Sequence, residues 1–248
     1  MSCILITGAT SGFGPTIAFE YARRGASLIL HGRDRERLDS LSASIKKGYS
    51  CNVSCVCLDA LIDKSGRQLF REASSTDNDP DVVVHHIGGT NGVRSTLCEQ
   101  AEWLEVLRLN VLFAAEFNSS YIPYMVKNAK RVRIIHISSI SALSLRGSGP
   151  YAAAKAFLNA YITTTAREVA TSDVTVCGVM PGAFCTPGSN WERYKIERPD
   201  IVDDFLRHHH ASGRLGEPSE ILSAINFLAD HENTFSQGCI VNIDGGTM

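Results

Sequence analysis

The chain has 248 residues, of which 24 are basic and 26 acidic, for a net charge of −2. That balance offers no electrostatic footprint for a nucleic acid or a membrane surface, and no apolar run approaches the roughly 20 residues of a membrane span. With 44% hydrophobic and 20% charged residues, the length suits one large α/β domain with a sizeable core and is short for two.

Apolar runs alternate with amphipathic stretches from end to end. "CILIT" (3–7), "SLILH" (27–31), "VSCVCLD" (53–59), "DVVVHH" (81–86), "VRIIHIS" (132–138), "VTVCGVM" (174–180) and "CIVNID" (239–244) read as seven buried strands. Between them, helical patterns cover about 13–24, 34–47, 63–75, 99–127, 150–171 and 217–230. Strand and helix in regular alternation predict a single doubly wound Rossmann domain over 1–248, with a seven-stranded parallel sheet and helices on both faces. Ligands of such sheets bind beyond the carboxyl ends of the strands.

Motifs stand at those ends. The first strand runs into "TGATSGFG", where Gly8, Gly12 and Gly14 open the first helix. Glycines there let the backbone turn tightly and approach a pyrophosphate, whose charge the helix N-terminus meets. Pro15 in the first turn lacks only an N–H that has no helical partner anyway. After the second strand, Gly32 leaves empty the place of the acid that holds a ribose 2′-hydroxyl in NAD sites, and Arg33 supplies a fork that matches a 2′-phosphate. Arg35 and Arg37 read as solvated charge. Asp59 closes the third strand, where its carboxylate is placed to meet an adenine ring. Further on, "YAAAK" sets Tyr151 and Lys155 one helical turn apart on one face, with only alanines between them.

Eight cysteines are scattered through the chain. The tightest cluster, "CNVSCVC", lacks a matching Cys/His pair at zinc spacing, so no metal is expected. Buried reduced thiols and an N-terminus without a basic region point to the cytoplasm. His208, His209 and His210 lie in an otherwise charged helix and read as a solvated face.

In order, "TGATSGFG", "RLN" ending at Asn110, "IHISS", "YAAAK", "MPGAFCT", "RLGEPSEI" and "VNIDGG" resemble the short-chain dehydrogenase/reductase family over essentially the whole chain. The resemblance implies catalysis by Asn110, Ser139, Tyr151 and Lys155. It also implies an NADP site built by Gly8, Ser11, Gly12, Phe13, Gly14, Arg33, Asp59, Ala60, Gly88, Asn110, Tyr151, Lys155, Pro181, Gly182 and Thr186. Tyr151 is then the general acid/base. Lys155 lowers its pKa and holds the nicotinamide ribose, Ser139 polarises a carbonyl, and Asn110 kinks its helix and holds a water on the proton route to Lys155. Ser138 is the alternative to Ser139, because choosing Ser139 leaves the loop to Tyr151 one residue shorter than the family commonly shows.

Residues 187–213 match the family's variable substrate lid, where Trp191 and Tyr194 face the ligand or pack beneath it. Where the family writes Asn-Asn-Ala-Gly, this chain has His85, His86, Ile87 and Gly88. Only the glycine survives, and His86 is expected to border the adenosine ribose. The expected activity is interconversion of a small-molecule carbonyl and alcohol by hydride transfer, in a homo-oligomer (tetramer or dimer) formed through the long helices. The rivals are an NAD-linked dehydrogenase of a sugar, polyol or steroid hydroxyl, and a cofactor-sensing protein without turnover. The presence of both Tyr151 and Lys155 speaks against the last.

Overall fold

The computed structural model describes residues 2–74 and 79–247. Seven strands form one sheet: β1 (Cys3–Thr7), β2 (Ser27–Gly32), β3 (Val53–Cys57), β4 (Val82–His85), β5 (Val132–Ile137), β6 (Val174–Pro181) and β7 (Ile240–Ile243). Their order is β3-β2-β1-β4-β5-β6-β7, and every pairing is parallel. The order reverses between β1 and β4, which opens a crevice beyond their carboxyl ends.

Two apolar layers explain why the central strands are continuous hydrophobic runs. Successive side chains of a strand point to opposite faces. Thus Ile4 and Ile6 pack with Ile17, Leu38 and Ile225 under α1 (Gly14–Arg23), α2 (Arg35–Gly48) and α10 (Leu222–Ala229). Leu5 between them packs on the other face with Phe117, Tyr121 and Leu158, under α3 (Ser65–Ala73), α5 (Phe113–Lys127) and α7 (Gly149–Glu168). The edge strands β3 and β7 are only half-buried, because each lacks one neighbour.

Several elements differ from the sequence pattern. The helix expected over 99–127 is α4 (Gln100–Leu107), a π-helical turn (Arg108–Leu112) and α5. The break arises because the Asn110 amide is bonded to Val106 O at 2.8 Å and to Gly89 O at 2.8 Å, which widens the turn. The pattern over 217–230 starts as a 3₁₀ turn, Pro218–Ile221, before α10. Position 75, the expected end of the third helix, lies outside the described residues. A short α6 (Ser141–Ser144) follows β5, and the lid contains α8 (Asn190–Glu197) and α9 (Pro199–His209).

Two expectations about burial need correction. All eight cysteines are free, but only Cys3 and Cys177 are buried. His210 is buried rather than solvated: it ends α9, pairs with Thr247 in a β-bridge and receives or donates a bond with Ser212 at 3.0 Å. Leu104, Leu112 and Phe157 on the long helices are exposed, while Val106, Phe113, Leu158 and Ile162 are buried. Among the described residues no helix is long and apolar enough to cross a membrane.

Candidate active site

A groove of about 820 Å³ lies across the carboxyl ends of the strands. The glycine-rich turn forms its floor through Gly8, Ser11 and Gly12, with Thr10 beside them, and Asp59, Ala60 and Gly88 line its walls. Gly14 does not line the groove. Its role is close packing: a Cβ there would lie 2.5 Å from Gly8 O and 2.6 Å from Ala9 O, so any side chain would push α1 off the turn. At the far end stand Arg33, Asp34 and Arg37. Asp34 caps α2 by accepting from Arg37 N at 3.1 Å, and its carboxylate pairs with Arg37 Nε at 3.3 Å. The exposed Arg33 guanidinium makes no ion pair among the described residues. Asp59 accepts from Leu61 N at 2.9 Å, which fixes its carboxylate as a turn.

At its other end the groove shares Gly88, Gly89, His86 and Thr186 with a pocket of about 210 Å³. Ser139, Tyr151 and Lys155 line this pocket together with Phe13, Pro181, Gly182, Phe184 and Trp191. Tyr151 and Lys155 come from α7, whose N-cap Ser148 accepts from Tyr151 N at 3.3 Å. Lys155 Nζ donates to Ile137 O at 2.8 Å and lies 5.6 Å from the Tyr151 ring centre. Next along the same face, Asn159 accepts from Ser138 Oγ at 2.6 Å. Both serines line the pocket, but the Ser138 hydroxyl is committed to Asn159, whereas Ser139 is the serine hydrogen-bonded to Tyr151. Asn159 escaped the sequence reading, although its spacing of four from Lys155 was the available signal. Trp191 on α8 faces the pocket and packs on Phe205 with ring centres 4.5 Å apart; Tyr194 meets the edge of Trp191.

Burial pushes the Tyr151 hydroxyl above its usual range, and the bond to Ser139 opposes that rise. Burial also lowers Lys155 to about 7. A lysine with a depressed folded pKa carries a penalty that is full below about pH 7 and is relieved as pH rises toward its unfolded value. Lys155→Met should therefore melt at a higher temperature than the unmodified protein at pH 6. The gap should narrow by pH 9, by on the order of 2 kcal/mol, or a few degrees. Equal gaps at the two pH values, followed by calorimetry, would mean that Lys155 does not bear this penalty.

Asn110 lines neither cavity. Its Oδ1 accepts from Gly89 N at 3.0 Å, so it holds the loop after β4 from behind. Gly88 is the narrow point between the two, since a Cβ there would lie 2.7 Å from Asn110 Oδ1 and 2.9 Å from Lys155 Nζ. Beneath this loop the strand register aligns His31, Thr7, His85 and His136 in one row. The His85 and His136 rings stack 4.8 Å apart and share Asn118, which accepts from His85 Nε2 at 3.1 Å and donates to His136 Nε2 at 3.3 Å. Burial holds His85 at about 4 and His136 well below the usual imidazole value, so both are neutral.

His86 borders the glycine-rich turn rather than only the adenosine end. Its Nδ1 donates to Gly8 O at 3.2 Å and its Nε2 accepts from Phe13 N at 3.3 Å. Among the described residues no group of three or more His, Cys, Asp and Glu is arranged to hold a metal ion.

Comparison with known proteins gives the family. A family model described as enoyl-(acyl carrier protein) reductase matches residues 8–248. The chain belongs to the short-chain dehydrogenase/reductase family. It is an oxidoreductase of that family. The 3-oxoacyl-[acyl-carrier-protein] reductase of Thermotoga maritima is 28% identical, over 98% of this chain and 96% of that protein. Gluconate 5-dehydrogenase of Gluconobacter oxydans is 26% identical, over 98% of this chain and 93% of that protein. Among solved structures, L-sorbose reductase from Gluconobacter frateurii, complexed with NADPH and L-sorbose, superposes with a TM-score of 0.89. Its identity is 26%, over 99% of this chain and 96% of that one.

Proposed function

We propose that the protein is an NADP-linked reductase of ketones or aldehydes, with Tyr151 as the proton donor. The observation that carries this reading is the convergence of Tyr151, Ser139 and Lys155 on one wall of a pocket that opens directly onto the dinucleotide groove. The residues present fit the cofactor. Among the described residues Arg33 has no carboxylate partner, Gly32 leaves the acid's place empty, and Gly88 keeps the passage between groove and pocket open. Related proteins with NADPH or NADP bound, from Gluconobacter frateurii and Agrobacterium tumefaciens, support the choice.

When bound, the cofactor supplies the hydride. The protein's own groups do the rest. Ser139 and Tyr151 donate hydrogen bonds to the carbonyl oxygen, and the Tyr151 proton moves to that oxygen as negative charge develops on it. Lys155, in its ammonium form, stabilises the resulting phenolate and is aimed by its bond to Ile137 O. Asn110 fixes the loop that carries Gly88 and Gly89 beside it. Phe13, Phe184 and Trp191 exclude water from the pocket wall.

The test is a panel of ketones, aldehydes, keto sugars and 3-oxoacyl thioesters, followed by loss of reduced-nicotinamide absorbance. Turnover of at least one class with NADPH is expected. NADPH binding without turnover of any compound would favour the sensing role. Oxidation of sugar hydroxyls with NAD alone would favour the other rival.

A further inference from the structure

We infer that His86 is a built-in competitor for the cofactor's pyrophosphate, occupying the Phe13 amide that the phosphate needs. The inference rests on the reading of the groove as an NADP site. Helix α1 starts at Gly14 with Phe13 as its N-cap, so the amides around this point are the donors that an anion would meet. Two positions offer it nothing: Gly14 N donates to Ser11 O at 2.9 Å, and Pro15 carries no N–H. Phe13 N, the donor at the N-cap itself, goes to His86 Nε2 at 3.3 Å.

The imidazole can play this part in one tautomer only. Gly8 O can only accept, so the 3.2 Å contact places the proton on Nδ1. Nε2 is then a bare lone pair. A phosphate oxygen arriving at the Phe13 amide would face that lone pair, and two acceptors repel. The ring is also tightly seated: a Cβ on Gly12 would lie 3.0 Å from His86 Cε1 and Nε2. Burial, aided by the nearby Lys155 charge, holds His86 at about 4, so it does not escape the conflict by being protonated at neutral pH. His86 lines both the groove and the catalytic pocket. It therefore stands at the crossing that every bound dinucleotide must span, and release of its bond to Phe13 accompanies cofactor binding. The result is a weakened grip on the cofactor and faster release of its oxidised form.

The test compares NADPH with 2′-AMP by calorimetric titration. The second ligand fills the adenosine end and carries no pyrophosphate. In His86→Phe, which keeps a ring but no acceptor, NADPH should bind about 2- to 12-fold more tightly, the worth of one neutral hydrogen bond removed from the free state. Affinity for 2′-AMP should stay unchanged. His86→Leu is a second variant with the same expectation, each confirmed as folded by its melting transition. Unchanged or weaker NADPH binding in the folded variants would overturn the proposal. Failure of the cofactor reading looks different: 2′-AMP would not bind the unmodified protein, and the proposal falls with it. The unmodified protein gives an independent reading through nitrogen NMR of ¹⁵N-labelled histidine. The His86 Nε2 resonance should shift when NADPH is added and not when 2′-AMP is added. A resonance indifferent to NADPH would equally overturn the proposal.

Discussion

Tyr151→Phe is expected to lower turnover by about 10²–10⁴-fold, the usual cost of losing a general acid/base. The fold should survive, because the hydroxyl's bond is to Ser139 and the ring itself stays in place on α7. NADPH affinity should stay close to that of the unmodified protein, since the ring lies along the pocket and not in the groove. The two neighbouring serines sharpen the test, because their hydroxyls have different partners. Ser139→Ala removes the partner of Tyr151 and should depress kcat strongly with little effect on the melting temperature. Ser138→Ala leaves Asn159 Oδ1 without its 2.6 Å donor inside the protein. That variant should lose about 1–3 kcal/mol of stability and keep most of its turnover. Near-normal turnover in Tyr151→Phe would sink the mechanism, and a reversed pattern for the serines would exchange their roles.

Much of this arrangement is legible in the sequence because it depends on local pattern. The central strands are apolar at every position, since both faces of the sheet are covered, and that produces runs such as "DVVVHH". Tyr151 and Lys155 share a helical face by spacing alone. What sequence reading missed depends on partners far along the chain. The clamp of His86 on Gly8 joins residues 78 apart, and nothing in "VHHIGG" encodes which turn it will reach. The π turn at Asn110 has no signature in periodicity, and only the family resemblance marks Asn110 as kinking its helix; its cause is an amide captured by Gly89, 21 residues earlier. His210 reads as solvated in a charged helix, yet the C-terminal segment folds over it, with Thr247 as its bridge partner. The lid's charged composition does not reveal that Trp191 packs on Phe205. Ser138 and Ser139 are adjacent, so the sequence could only weigh one against the other. The bond to Asn159 separates them.

NADPH is expected to bind more tightly than NADH by about 10- to 150-fold, the worth of a charge-assisted bond from guanidinium to phosphate. The source of the preference is Arg33. It stands at the mouth of the groove beside Asp34 and Arg37, but those two are paired with each other at 3.3 Å. The Arg33 charge is thus left for an incoming 2′-phosphate. Because Arg33 is exposed, water and salt screen it, so the ratio should fall at the lower end of the range and shrink further as salt is added. The converse substitution is sterically permitted. A Cβ at Gly32 would lie 3.4 Å from Thr10 Oγ1 and 3.5 Å from Leu38 Cδ2, ordinary contact distances. Gly32→Asp combined with Arg33→Ser should therefore fold normally and shift the preference toward NADH, because a carboxylate there accepts from the ribose hydroxyls and repels the phosphate. Calorimetric titration of both cofactors into both proteins decides the matter. Equal affinities in the unmodified protein, or a preference unmoved by salt and by the double substitution, would place Arg33 in solvent. The selectivity would then have to come from the amide groups at the start of α2.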